Sequence, residues 1–273
     1  MSAARRRELL AAALVSAVAF LPFLRGALSG ASLYFRDLAL QFLPLRRLAL
    51  DGLLTGEVRL WNPYLHEGIP LSLPAVGYPL DLLQLIRPDE VGISLSLALH
   101  VPLAALAAYA LSRRLLDAPP VAAAGGALVY ALGGFVLSTL NLYVYVQAAA
   151  WAPLMVLALV RVLEGGSRRA VAGAALVVAV AVSTTGVEIV AQAVVVGLIL
   201  GLGSRSGRSP RSLARAAGAL ALGALVAAPV LALLASQVGD SARGQGFATH
   251  AVLAHSVHPF TLLQVLVCSG NNA

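Results

Sequence analysis

Seven of the twelve acidic residues fall in one stretch of the chain: Asp37, Asp51, Glu57, Glu67, Asp81, Asp89 and Glu90. Arg36, Arg46, Arg47, Arg59 and Arg87 are interspersed with them. A carboxylate can take a proton from an attacking hydroxyl, and arginine's planar fork grips phosphate or carboxylate oxygens. The mixture therefore offers a base beside an anion-binding cluster. Read at helical period, Tyr34 to Leu54 is amphipathic. Arg36, Asp37, Gln41, Arg47 and Asp51 share an arc of roughly 140°, opposed by Phe35, Leu38, Phe42, Leu45 and Leu53. Such a helix suits a membrane interface and should kink at Pro44, which lacks the amide for the i−4 bond. Asp37 falls at its first turn, either as a reactive carboxylate or as a solvated one favouring the helix N-terminus.

The following stretch, 60–88, is dense in Pro, Gly and aromatic residues. Trp61, Tyr64 and Tyr78 suit a water–lipid boundary, and Asn62-Pro63 and Gly68 are turn chemistry. His66 and Glu67 could titrate together or ligate a metal, although such neighbours are more often simply exposed. Glu188 follows Thr184-Thr185-Gly186 at a turn near the bilayer, where an ionisable group is costly and often functional; the plain alternative is a solvated turn residue. His250, His255 and His258 cluster in the tail without the cysteine or carboxylate framework of a metal site, so no metal ligands are assigned.

The elements that must position these groups are apolar. The chain is 59% hydrophobic and only 11% charged, with a mean hydropathy of +0.87. A core of this size cannot hide that much apolar surface from water, which excludes most soluble enzymes and makes lipid the expected solvent. The formal charge of +7 comes from arginines scattered in short loops, a pattern of membrane topology rather than nucleic-acid binding. The single cysteine, Cys268, excludes an internal disulfide or a CxxC pair.

Residues 1–28 read as a signal anchor behind Arg5, Arg6 and Arg7, with Ala27-Leu28-Ser29 a passable but less favoured cleavage site. Apolar runs near 93–112, 119–140, 143–163, 170–186, 188–203 and 215–236 bring the total to about seven spans. The fifth and sixth are close enough to form a broken pair or a re-entrant hairpin. The expectation is an all-α, polytopic transmembrane bundle. It comprises the anchor (1–28), a first extracytoplasmic loop with interfacial helices (29–92), the bundle (93–236) and an extracytoplasmic tail (237–273). Arg113, Arg114, Arg161, Arg168, Arg169, Arg205, Arg208, Arg211 and Arg215 occupy alternate loops and mark the cytoplasmic side, with the N-terminus inside. The basic loop 204–215 serves this topology, with anionic headgroups a lesser possibility. Small residues in 121–134 suit close helix packing. The tail holds one short apolar run, Phe260 to Cys268, and reads as cut short before a closing helix. No G-x-S-x-G, H-E-x-x-H, Walker A or Rossmann fingerprint occurs, which argues against those hydrolases and an ATP-driven pump.

Several strings share an order and spacing: Asp37-x3-Gln41-x2-Pro44, Leu60-Trp61-Asn62-Pro63-Tyr64 with Gly68-Ile69-Pro70-Leu71, and Tyr78-Pro79-Leu80-Asp81-Leu82-Leu83. Leu99-His100-Val101-Pro102-Leu103, Tyr130-Ala131-Leu132-Gly133-Gly134-Phe135 and Ala149-Ala150-Trp151-Ala152-Pro153-Leu154 follow. Together they resemble the N-terminal part of the YfhO family of bacterial membrane proteins, chiefly over 30–165. Where family members often carry Gly-His-Pro-Gln or Gly-His-Pro-Glu, this chain has Gly186-Val187-Glu188, without the histidine. The family is similar to the GT-C glycosyltransferases, which use polyprenyl-phosphate sugars outside the cytoplasmic membrane.

The resemblance implies that Asp37 occupies the position of the catalytic aspartate. A sugar leaving a lipid phosphate departs as a stable anion, so one carboxylate can suffice, unlike the two of a glycosidase. The departing phosphate needs countercharge from a divalent cation or from Arg36, Arg46, Arg47 and Arg59. Gln41, Asn62 and His66 complete the substrate-binding candidates, and Glu188 is a secondary catalytic one. The expected function is sugar transfer from a polyprenyl-phosphate donor to an envelope glycopolymer or glycolipid, on the outer face of the bacterial cytoplasmic membrane. A transporter or flippase would need polar groups within several spans; His100, Asn141 and Gln147 are few and near helix ends. A non-catalytic assembly scaffold and an inactive fragment are the remaining readings.

Overall fold

Two long apolar helices carry the architecture: α3 (Glu90–Leu115) and α6 (Tyr143–Leu163). Asp89 starts α3 by accepting from the Gly92 amide at 2.8 Å, and Arg113 and Arg114 sit in its last turn, where they complement the helix dipole. Helices α1 (Ala3–Ser29) and α4 (Pro120–Ala131) pack against α3. The short α5 (Gly134–Ser138) and a 3-10 turn, Thr139–Asn141, continue the passage begun by α4. Helices α7 (Arg168–Ser183) and α8 (Val187–Gly203) both pack against α6, and α9 (Pro210–Val226) packs on α7. The computed structural model describes residues 3–65, 67–71, 77–239 and 246. The chain divides into two units, Met1–Ala232 and Leu233–Ala273; of the second, the described part is chiefly the end of α10 (Ala228–Gly239). His250, His255, His258 and the run Phe260 to Cys268 lie outside the described residues.

Small residues set the seams, as their sequence pattern suggests. Helix α4 buries Ala123, Ala127 and Ala131, one per turn. Helix α8 buries Ile189, Ala193, Gly197 and Gly201 at the same spacing. Gly186 meets Val144 and Ala148, Gly197 meets Val156 and Leu159, and Gly201 meets Leu163. A β carbon on Gly201 would collide with the Leu163 side chain, so glycine alone allows this approach. The pairs advance in one direction along both helices. Helices α6 and α8 therefore run parallel and α7 returns between them, two helices rather than one broken span.

The bundle has a basic end. Arg113 and Tyr109, near the end of α3, bond Glu8 at the start of α1. Leu111 and Leu115 pack with Met155 and Val156 of α6, so α3 and α6 also point the same way. Arg7, Arg113, Arg114, Arg161, Arg168, Arg169 and Arg205 thus gather at one end. Helices α1, α3 and α6 and the passage Pro120–Asn141 are long and apolar enough to cross a membrane, and α9 with α10 would add a fifth as one bent span. The chain is compatible with a multi-pass membrane protein. A count of seven would also enlist α7 and α8, which at 16 and 17 residues reach roughly 24–26 Å against a hydrocarbon core of ~30 Å.

At the other end, the described residues between α1 and α3 are folded. Helix begins at Arg36, passes through a π turn at Leu38–Phe42 and continues as α2 (Leu43–Leu54). Sequence placed a kink at Pro44; the chain instead widens the turn just before it. The Leu43 amide bonds the Leu38 carbonyl, and Pro44, having no amide to give, takes a first-turn position of α2. A small antiparallel hairpin follows, the only strands among the described residues: β1 (Trp61–Asn62) against β2 (Ile69–Pro70). Gly68 enters β2 at φ +111°, and only its missing side chain leaves room for the Trp61 ring. A 3-10 helix, Pro79–Ile86, leads to α3.

Candidate functional site

The 3-10 helix Pro79–Ile86 is amphipathic in the reverse of the usual sense. Its polar side chains, Asp81 and Gln84, are buried, whereas Leu82, Leu83 and Ile86 are exposed. Water would favour the opposite arrangement, so this surface suits a lipid boundary. The buried polar groups meet partners from three other elements. Arg46 of α2 donates through Nε and Nη2 to Gln84 Oε1, at 3.0 and 2.8 Å. Its Nη1 stands 3.5 Å from Asp81 Oδ2. Asp81 Oδ1 accepts from the Tyr143 hydroxyl at 2.5 Å, Gln147 Nε2 at 2.9 Å and Gln84 Nε2 at 3.1 Å. Oδ2 is buried and has no hydrogen-bond partner. Phe42 stacks on the Tyr143 ring at 5.7 Å, and the Arg46 guanidinium lies 5.9 Å from the ring centre.

A second chain of bonds adjoins the first. The His100 Nδ1–H donates to the Ser96 carbonyl at 2.7 Å, which leaves Nε2 free to accept from the Tyr78 hydroxyl at 2.9 Å. Trp151 Nε1 donates to the Tyr78 oxygen at 2.7 Å. Tyr78, expected at a water–lipid boundary, is buried because this network satisfies its hydroxyl. Burial pushes that hydroxyl above the usual tyrosine range. Burial also pushes the Asp81 carboxyl up to about 6, with Arg46 and the bonds from Tyr143 and Gln147 pulling the other way.

The residues singled out from sequence divide into three places. Gln41, Arg47, Arg59 and Asn62 line one groove of about 400 Å³ beside α2, together with Asp51, Tyr64 and leucines such as Leu40 and Leu48. Within it Arg47 Nε pairs with Asp51 at 3.3 Å and its Nη1 donates to the Pro88 carbonyl at 2.9 Å. Arg59 stands 3.8 Å from Glu57, and buried Asn62 accepts the Tyr64 amide at 3.0 Å, closing the turn over Pro63. Arg36 and Asp37 are exposed at the start of the same helix, one turn before Gln41, with Arg36 at φ +47°. Arg46 leaves the groove for the buried cluster and a separate cavity that Arg59 also lines. Glu188 is exposed in the first turn of α8, and His66 lies outside the described residues. Among the described residues, no three His, Cys, Asp or Glu side chains converge as metal ligands.

No protein-family model, curated protein or solved structure matches this chain.

Sequence reasoning named Arg46 but not its partners. Two signals pointed to them. Arg46 falls off the polar arc of its helix, and Asp81 and Gln84 stand three apart within Leu80–Ile86, an otherwise aliphatic run. A charge misplaced on an apolar face and a carboxylate inside an apolar segment imply each other.

Proposed function

We propose that this chain is a GT-C-like membrane glycosyltransferase. It moves a sugar from a polyprenyl-phosphate donor to an envelope glycopolymer or glycolipid, on the outer face of the bacterial cytoplasmic membrane, with the basic end and the N-terminus inside. The observation that carries the reading is an exposed carboxylate, Asp37, one helical turn ahead of a groove that mixes Arg47 and Arg59 with leucines. Such a groove matches a phosphate joined to an isoprenoid chain. The resemblance of 30–165 to the YfhO family and the basic end opposite the groove support the same reading.

In this mechanism Asp37 takes the proton of the acceptor hydroxyl as its oxygen bonds the anomeric carbon. The bond from that carbon to the phosphate oxygen breaks, and polyprenyl phosphate leaves as an anion facing Arg47 and Arg59. One displacement inverts the anomeric centre. The Arg47 guanidinium is held in place by Asp51 and the Pro88 carbonyl. That arrangement lowers the ordering cost of meeting the phosphate.

The test is sugar transfer in membranes expressing the full chain, supplied with labelled polyprenyl-phosphate sugars. Asp37→Asn keeps the shape but cannot take a proton. Transfer should fall at least ~100-fold at equal protein level. Equal transfer by both proteins would remove Asp37 from the mechanism and direct attention to Glu188. Transfer by neither, across a range of donors, would favour a scaffold or transporter.

A further inference from the structure

At the basic end of the bundle, opposite Asp37, a crevice of about 300 Å³ opens between α6 and α7. Arg161 and Arg169 line it from the two helices, and the rest of its wall is apolar, including Leu154, Leu157, Gly173 and Val177. On α6, Leu154, Leu157 and Arg161 recur at i, i+3 and i+7; on α7, Arg169, Gly173 and Val177 recur at i, i+4 and i+8. Each set shares one helix face. The crevice is therefore charged at the basic end and apolar for the next two turns, roughly 10 Å. Among the described residues, neither arginine makes an ion pair or a side-chain hydrogen bond. Arg113, at the same end, is by contrast paired with Glu8. Glu164, the carboxylate at the end of α6, is exposed, lies outside the lining and pairs with neither.

Two unanswered guanidiniums at the mouth of an apolar slot define what complements it: an anionic head on an apolar body. A headgroup carrying an ammonium would set a third positive charge beside two. A free phosphate would meet the arginines but leave the apolar wall uncovered. We infer that the crevice seats an anionic phospholipid whose headgroup has no amine. Its phosphate meets Arg161 and Arg169, whose planar forks suit phosphate oxygens, and the first part of one acyl chain runs along Leu154, Leu157 and Val177. The apolar part of the slot is shorter than one leaflet, half of a ~30 Å hydrocarbon core, so the rest of the lipid stays in the bilayer. This site needs the chain to lie in a membrane but does not need it to transfer sugar.

The experiment is native mass spectrometry of the full chain in a non-ionic detergent, titrated with phosphatidylglycerol, phosphatidylcholine or glycerol 3-phosphate. Phosphatidylglycerol should bind saturably and about 25-fold tighter than phosphatidylcholine, about fivefold for each arginine, and glycerol 3-phosphate should not displace it at equal concentration. Arg161→Gln combined with Arg169→Gln should erase that preference. Gly173→Phe fills the crevice and spares both charges; a β carbon added there meets no atom within 4 Å. It should weaken phosphatidylglycerol about tenfold or more. Arg211→Gln combined with Arg215→Gln, at the start of α9, is the control and should leave the preference unchanged. All five positions are exposed, so the variants should fold. Equal affinity of the wild type for the two phospholipids would overturn the site. An equal loss in the control pair would assign the preference to the basic end as a whole and overturn it as well. Wild-type binding by Gly173→Phe would take the acyl chain out of the crevice, and displacement by glycerol 3-phosphate would make the ligand a soluble anion; either result sinks the lipid site. Whether Asp37→Asn abolishes sugar transfer bears on none of these outcomes.

Discussion

Asp81 is the residue on which the buried network turns, and its environment makes its effect on stability depend on pH. Burial holds its carboxyl at about 6, against an ordinary value near 4. Between those values the folded chain keeps a proton that the unfolded chain has lost. Its stability is therefore intact below about pH 4 and falls as pH rises to about 6. Asp81→Asn cannot ionise, so thermal unfolding of the two proteins in detergent should diverge across this window, the variant gaining on the wild type as pH rises. Parallel melting curves from pH 4 to 7 would contradict the assignment. Arg46 offers a second check. Arg46→Met alone leaves a buried carboxylate uncompensated and should cost about 3–5 kcal/mol, read as lost folded yield or a lowered Tm. Pairing it with Asp81→Leu removes both charges and should restore most of that loss. The pair was half legible in the sequence, because Arg46 stands on the apolar side of its own helix. Its partner is marked only as a carboxylate inside the aliphatic run Leu80–Ile86, with nothing to say which helix faces it. Periodicity reports which face a residue occupies, not which other element covers that face.

The elements differ in how plainly they announce themselves. The helix through Asp37 and Asp51 follows from its 3.6-residue pattern: of its expected apolar side Leu38, Phe42 and Leu45 are buried and Leu53 half-buried, whereas Phe35 is exposed. The π turn before Pro44 was not foreseen in form, since one proline is compatible with a kink, a break or a widened turn. The 3-10 helix Pro79–Ile86 was missed as an element. Its eight residues are too few for a period of three to stand out, and its polar side faces inward, against the rule by which faces are assigned. That inversion yields a prediction. Spin labels at Leu83 and Ile86 in lipid nanodiscs should be relaxed by oxygen and shielded from a water-soluble nickel chelate, the signature of lipid exposure. Labels at Glu57 and Glu67 should show the reverse. Nickel access at Leu83 and Ile86 would put this helix in water and leave its apolar face unexplained.

At the scale of the whole molecule, the arginines separate one end of the bundle from the other. Their alternation between loops was readable directly, because loop charge is a one-dimensional property. With Cys268 replaced by alanine, cysteines introduced at Gly165 and Ser206 should be labelled by an impermeant maleimide only after the cytoplasmic face is opened. Cysteines at Glu57 and Tyr64 should be labelled in intact cells; the opposite result would reverse the proposed orientation. What the sequence could not display is the joining of the 30–89 segment to the bundle through contacts distant in the chain. Asp81 and Tyr143 are 62 residues apart, which at roughly 5–20 residues per second is about 3–12 s of synthesis. During that interval Asp81 has been made and its partners on α6 have not. The 30–89 segment must therefore wait, its carboxylate still hydrated, until a later helix arrives to receive it. Order of synthesis and order of assembly part company here: what is translated early docks late.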